Sequence, residues 1–376
     1  MISPEDLFQA LKVNGIRRFA GVPDSLLKEL CAFITDNVPE DAHVITANEG
    51  NAIALASGWY LGTGEPALVY MQNSGIGNAV NPLASLSDPE VYGIPMLLVI
   101  GWRGEPGRKD EPQHVKQGRV TLALLDSLEI PYRTLGPEDD VTETVNSICS
   151  EMRERGGPAA IVVREGTFSA YKLRKKKGTD FQMDREAAIV TVVGCLLPTD
   201  VVVSTTGKAS RELYECRARS GKCSESDFLT VGSMGHASSI ALGLAATRPE
   251  RRVLCFDGDG AFIMHMGALA IIGRQAPPNL VHLVFNNGSH DSVGGQPTVG
   301  LEIDMVGIAK ACGYRLALSV STAEELESAM RSLPKGDGPV FLEVKVNGGA
   351  RPDLGRPKTS PKENRDQLMA NLRKVV

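Results

Sequence analysis

The sequence predicts an α/β protein built from two doubly wound parallel sheets, and two observations carry that expectation. Short β-branched runs recur along the chain, each ending in Gly or a small polar residue, with amphipathic helical stretches between them. A charged segment, residues 169–184, carries Gly178, lacks apolar periodicity and separates these runs into two blocks. At 376 residues the chain exceeds one typical core and suits two domains. The expected division is a first domain over 1–168, a linker over 169–184 and a second domain over 185–376.

In the first block a strand-like run leads into Gly21, and Val44 begins a second that runs into a helix. Ala67–Tyr70, Met96–Ile100 and Ala160–Val163 follow. The second block offers Val201–Ser204, Val253–Phe256, Val281–Phe285 and Val340–Val346. Strands of this length alternating with helices imply βαβ units, whose ligand sites form at the carboxyl ends of the strands. Functional residues are therefore expected just after these runs.

Two such places in the second block form a pair. Gly258-Asp259-Gly260 closes one run and Asn286-Asn287 closes the next, one helix length away. Glycines let backbone N–H groups approach phosphate oxygens while Asp259 faces a metal. Mg²⁺ takes oxygen ligands in octahedral array and shares its shell with substrate phosphates, so Asp259, Asn287 and a loop carbonyl suit it. Either motif alone is an ordinary turn or loop, and only the pairing points to a diphosphate site. Thr205-Thr206-Gly207-Lys208 also ends a run and precedes a helix, where hydroxyls and N–H groups can meet a diphosphate.

In the first block Glu49 stands where a strand passes into a helix of small residues, Ala54, Ala56, Ser57 and Gly58. Taken alone it reads as a helix-start glutamate that complements the macrodipole. Gly21-Val22-Pro23-Asp24-Ser25 has turn chemistry that puts Asp24 and Ser25 at the sheet's carboxyl edge. The Gly-rich stretch Gln72-Asn73-Ser74-Gly75-Ile76-Gly77-Asn78 follows another strand.

These segments together resemble the thiamine diphosphate-dependent enzymes, whose signature opens with Gly-Asp-Gly and closes with Asn-Asn, as Gly258 to Asn287 does here. The resemblance implies a pyrimidine-binding and a diphosphate-binding domain of shared topology, with no middle domain. It implies thiamine diphosphate and Mg²⁺ as cofactors, the metal held by Asp259, the side-chain amide of Asn287 and the main-chain carbonyl of Ser289. Asn73, Thr206, Gly207, Lys208, Ser233, Met234, Gly258, Gly260 and Ala261 would contact the cofactor, with Met234 as the bulky residue that props its bent form. Glu49 would be the acid that drives tautomerisation of the aminopyrimidine. In this family the glutamate of one subunit meets the diphosphate domain of another, which implies at least a homodimer.

A narrower resemblance runs from about Pro4 to about Val346. Gly21–Leu27, Tyr70–Gly75, Gly101–Gly107, Asp110–His114, Ser233–Ser238 and His290–Pro297 are similar to the family of phosphonopyruvate and sulfopyruvate decarboxylases. The implied reaction is decarboxylation of 3-phosphonopyruvate to phosphonoacetaldehyde in phosphonate biosynthesis. Alternatives are 3-sulfopyruvate decarboxylation or a related 2-oxo acid decarboxylase or carboligase. The sulfo enzymes are commonly divided into two subunits, so the single chain favours the phosphono reading. The long polar loop from Gly101 to Arg119 offers more positive charge than a plain 2-oxo acid requires. Arg103, Arg108, Lys109, Gln113 and Lys116 of this loop, with Asp24 and Ser25 of the earlier turn, are the candidate substrate residues. Met71-Gln72-Asn73 lacks the histidine that related enzymes for aromatic substrates often carry there, which leaves His114 and His290 as candidate proton donors.

Composition excludes other classes. Net charge is −5 and no long stretch is basic, so nothing points to nucleic acid. The one basic run, Lys172–Lys177, is expected to be solvated. No apolar run approaches a membrane span and the N-terminus lacks a signal pattern, so a cytoplasmic protein is expected. Seven cysteines without CxxC pairs are expected to be mostly core thiols. No strand precedes GxGxxG, which argues against a dinucleotide oxidoreductase. A regulatory subunit without turnover would not need Glu49 beside an intact metal motif.

Overall fold

The computed structural model describes residues 1–176, 178–221, 224–333 and 336–374. They divide into two compact units. The first is Met1–Lys176 with Ser292–Gln296, and the second comprises the other described residues. Residues 292–296 thus cluster with the first unit, although they fall within the expected span of the second domain.

The first unit holds six parallel strands, β1 (Phe19–Gly21), β2 (His43–Ile45), β3 (Ala67–Gln72), β4 (Met96–Gly101), β5 (Tyr132–Leu135) and β6 (Ala159–Val163), in the order β2-β1-β3-β4-β6-β5. The second holds β7 (Val201–Ser204), β8 (Asp227–Leu229), β9 (Val253–Gly258), β10 (Leu280–Asn286), β11 (Leu316–Val320) and β12 (Val340–Lys345), in the order β11-β12-β10-β9-β7-β8. Counted from its own first strand, each sheet has the same order, 2-1-3-4-6-5. The direction in which successive strands are added to the sheet reverses between β1 and β3 in one unit and between β7 and β9 in the other. In open α/β sheets, ligands bind in the crevice at such a switch point.

Both sheets are covered on both faces, which is why their central strands read as continuous apolar runs. In β3, Leu68 and Tyr70 enter one core while Ala67, Val69 and Met71 enter the other. In β9, Leu254 and Phe256 face one core and Val253 and Cys255 the opposite one. Each fully buried side chain of this size contributes about 1.5–3 kcal/mol. The cores therefore hold the carboxyl edges, and what projects from them, in fixed places.

Three strands, β5, β8 and β11, were not expected from the sequence. All lie at a sheet edge; β5 and β11 expose residues at their middles, which breaks the apolar run, and β8 is only three residues long and opens with Asp227. The segment expected as a linker is tied down at both ends. Asp36 accepts from the Arg174 and Lys175 N–H groups and the Tyr171 hydroxyl, and Phe181 N–H donates to Asn347 Oδ1 at 2.9 Å. Of the basic run, the side chains of Lys172, Arg174, Lys175 and Lys176 are exposed, and Lys177 lies outside the described residues. Cys31, Cys149, Cys216 and Cys255 are buried free thiols, Cys195 and Cys312 are half-buried, and Cys223 lies outside the described residues. Among the described residues no helix is long and apolar enough to cross a membrane.

Candidate active site

In the first unit β2 delivers Glu49. Asn48 caps the helix Glu49–Thr63, its side chain accepting from Asn51 N–H at 3.0 Å, and this fixes Glu49 at the first helical position. Glu49 is buried, and burial raises its carboxyl above the usual range, although Asn78 Nδ2 donates to Oε2 at 2.7 Å. Gly75 leaves room for the other side of that carboxyl. A Cβ there would lie 2.5 Å from Glu49 Cδ and 2.6 Å from Cγ.

At the switch point Asp24 is completely buried. It accepts from Leu26 N–H at 2.9 Å and from Gln72 Nε2 at 2.6 Å, which joins the ends of β1 and β3. Arg103 follows β4, and Asp110 grips its guanidinium through Nε at 2.8 Å and through one terminal nitrogen. The other terminal nitrogen donates to Ser25 Oγ at 2.8 Å. Asp110 also accepts from Gly104 N–H at 2.8 Å and Glu111 N–H at 2.7 Å, and with Arg103 these donors hold it well below the usual carboxylate range despite desolvation. Arg103 is thereby a fixed fork with donors to spare.

Ser25, Arg103, Arg108 and Lys109 line one cleft of about 400 Å³ with Lys28 and Glu165. Arg108 pairs with Glu105 at 3.1 Å, whereas the exposed Lys109 makes no ion pair among the described residues. Gln113, His114 and Lys116 lie on the next helix, Pro112–Ser127, and are not part of that lining. Lys116 is exposed, Gln113 Oε1 is buried without a hydrogen-bond partner among the described residues, and burial lowers the pKa of His114. Asn73 is buried and spends both amide hydrogens within the unit, on Arg103 O at 2.8 Å and Thr121 Oγ1 at 2.9 Å. Its bonding is that of an anchor for the Arg103 loop, where the sequence implied a cofactor contact.

In the second unit the carboxyl end of β7 carries Thr206 and Gly207, whose φ of 94° lies in the range that favours glycine, and Lys208 opens the helix Lys208–Arg219. Lys208 Nζ donates to the Asp291 carbonyl at 3.1 Å, and desolvation lowers its pKa. Ser233 adopts φ 53°, uncommon for a residue with a Cβ, and turns the chain into Met234. A Cβ on Gly260 would lie 3.0 Å from the His290 ring and 3.3 Å from Met234 Cε, so the glycine lets these three meet. His290 is pushed down to about 4 by burial and is a neutral imidazole at pH 7.

Asp259 follows β9 directly, before Gly260 and the buried Ala261, and burial pushes its carboxyl up to about 6. Thr298, which the sequence reading missed, donates its hydroxyl to Asp259 Oδ2, and its N–H donates to Gly288 O at 2.9 Å. One residue thus joins the two halves of the motif. Asn286 is spent inside the fold, on Gly300 O and Glu343, both at 2.7 Å. Asn287 Nδ2 donates to Asp291 at 2.8 Å and its Oδ1 accepts from Ser289 N–H at 2.9 Å.

A buried carboxylate pushed up by desolvation, with an amide oxygen and a loop carbonyl nearby in the chain, is a donor set that fits Mg²⁺. The clearance at Gly75 and the raised Glu49 carboxyl fit an aminopyrimidine partner. Cys255, Asp257 and His282 also converge within 4.8 Å, but His282 spends its nitrogens on Tyr314 at 3.2 Å and Asp257 at 3.4 Å, the bonding of a satisfied core. Thr298, Asp291, Asn78, Gln72 and Asp110 are the parts of the site that sequence did not single out. They act as partners of other side chains, and which side chains pair, near or far along the chain, leaves no mark in one sequence.

Residues 4–125 match the family described as "Thiamine pyrophosphate enzyme, N-terminal TPP binding domain", and residues 206–344 match "Thiamine pyrophosphate enzyme, C-terminal TPP binding domain". The chain is 38% identical to a phosphonopyruvate decarboxylase of Streptomyces viridochromogenes, over 96% of this chain and 93% of that one. It is 37% identical to one of Streptomyces hygroscopicus, over 96% and 92%. A sulfopyruvate decarboxylase of Methanosarcina acetivorans is 29% identical over 93% and 92%. That relative spans both halves in one chain, so a single chain does not by itself separate the two substrate classes.

Proposed function

The chain belongs to the phosphonopyruvate decarboxylase family of thiamine diphosphate-dependent enzymes, and on that premise we propose that it converts 3-phosphonopyruvate to phosphonoacetaldehyde and CO₂. The observation that carries the reading is identity of 38% to a relative of that name across 96% of the chain, against 29% to a sulfopyruvate decarboxylase. In the reaction the C1–C2 bond breaks, CO₂ leaves and a proton takes its place at C2. When bound, thiamine diphosphate supplies the electron sink that such a bond cleavage requires.

The chain's own residues supply the rest. Asp259, Asn287 and the Ser289 carbonyl would hold Mg²⁺, and Thr206 to Lys208 and Gly258 to Ala261 would seat the diphosphate. Glu49, kept protonated to higher pH by burial, offers a carboxylic hydrogen at the carboxyl edge. Arg103, braced by Asp110 and Ser25, has guanidinium donors left for an anion, with Lys109 as a second cation beside it. His290 and His114 are neutral at pH 7, and a bound anionic substrate would raise the pKa of whichever stands beside it. Self-association that completes the site belongs to the same reading.

Phosphorus NMR of protein incubated with 3-phosphonopyruvate, thiamine diphosphate and Mg²⁺ tests it. Conversion to phosphonoacetaldehyde with equimolar CO₂ is expected. Unchanged substrate, or a carboligation product formed with an added aldehyde in its place, would overturn the proposal.

A further inference from the structure

We propose that Asp291 is a positioning residue for Mg²⁺, acting by holding the Asn287 side chain; the inference rests on the reading of Asn287 as a metal ligand. A carboxamide has two ends of nearly equal size, and only its oxygen can bind a cation. Its orientation must therefore be fixed from outside, and here it is fixed from both sides. Asn287 Nδ2 donates to Asp291 Oδ2 at 2.8 Å, while Oδ1 accepts from Ser289 N–H at 2.9 Å. A carboxylate accepts only, so Asp291 can face the NH₂ end and not the oxygen. A flip of the amide would set two acceptors against each other.

Asp291 is itself held. The same Oδ2 accepts from Arg185 at 3.1 Å and from Gly349 N–H at 2.9 Å, and its backbone carbonyl accepts from Lys208 at 3.1 Å. Arg185 is gripped by the buried Glu212 through Nε at 2.7 Å and a terminal nitrogen at 3.0 Å. The ligand loop is thus tied to the helices Arg185–Gly194 and Lys208–Arg219 and to the chain after β12. Because Glu212 already neutralises Arg185, the bond to Asn287 is a separate use of the Asp291 carboxylate. All three N–H donors land on Oδ2, so one carbonyl oxygen in that place could receive them.

The test is Mg²⁺ affinity by calorimetry on the full chain saturated with thiamine diphosphate, with the melting midpoint of each Mg²⁺-free variant alongside. Loss of a partner that orients a metal ligand typically costs about 10–100-fold in metal affinity. Asp291→Ala is expected to show that loss, Asn287→Ala at least as much, and the double substitution no more than Asn287→Ala alone. Asp291→Asn should stay close to wild type. Weakened binding in Asn287→Ala with wild-type affinity in Asp291→Ala, or additive losses in the double variant, overturns the positioning role. Wild-type affinity in Asn287→Ala overturns the ligand reading beneath it, and the inference with it. If Asp291→Ala does not fold, the exchange Asn287→Asp with Asp291→Asn decides. It should bind Mg²⁺ more tightly than Asn287→Asp alone, where two carboxylates face each other, and equal affinity overturns the proposal.

Discussion

Replacing Gly75 with alanine is expected to slow activation of the cofactor about a hundredfold while leaving the fold intact. Gly75 has φ −72° and ψ −17°, which alanine adopts without strain, so the backbone should not object. The obstacle is Glu49. The new Cβ would stand 2.5 Å from its Cδ, whereas ordinary contact begins at 3.4 Å, so the carboxyl must retreat by about 0.9 Å. Such a retreat also strains the 2.7 Å bond from Asn78. Misplacing a reacting group by about 1 Å costs on the order of 10²-fold. The assay is exchange of the thiazolium C2 proton, followed by NMR after quenching, with cofactor affinity and melting midpoint measured in parallel. Slow exchange with near-normal cofactor binding is expected, with Glu49→Gln slower still because an amide cannot replace the acid. Wild-type exchange in Gly75→Ala would refute the placement of Glu49 as the activating acid.

Other consequences can be checked separately. Arg103→Gln should raise KM for 3-phosphonopyruvate more than tenfold over its effect on pyruvate, because a contact to a charged group contributes about 1.5–3 kcal/mol, while Lys116→Ala, outside the cleft lining, should change neither in steady-state assays. Asp259→Ala should abolish tight Mg²⁺ binding and weaken thiamine diphosphate with it, and calorimetry showing unchanged affinities would remove Asp259 from the metal site. His43 is held near pKa 4 by burial, below its ordinary 6.5. The unfolded chain therefore takes up that proton first, so this contribution to stability is whole above about pH 6.5 and is lost as pH falls toward 4. Denaturant unfolding across that range should show His43→Gln with a shallower decline than wild type.

The fold was legible where burial is complete. Continuous apolar runs such as Ala67–Tyr70 and Val201–Ser204 announce central strands, because both sheet faces are covered there. β5 escaped because Arg133 and Thr134 at its middle are exposed, and an edge strand lacks a clean pattern. Where one residue type would carry the chemistry, as with Glu49 and Asp259, the sequence singled out residues that the fold buries just after a strand. Loop charge was legible too, but its use was not. Nothing in the sequence tells that Asp110, seven residues on, commits part of the Arg103 fork, or that Arg108 turns to Glu105. The same holds for Asn73, whose amide closes on Arg103 and Thr121 through a fold that brings residues 48 positions apart together.

Which anion the site reads is decided by kcat/KM for 3-phosphonopyruvate, 3-sulfopyruvate and pyruvate with thiamine diphosphate and Mg²⁺ at saturation. 3-Phosphonopyruvate is expected to be preferred over 3-sulfopyruvate, and over pyruvate by more than tenfold, the worth of one charged contact. Preference for 3-sulfopyruvate, or equal values for all three, would contradict it.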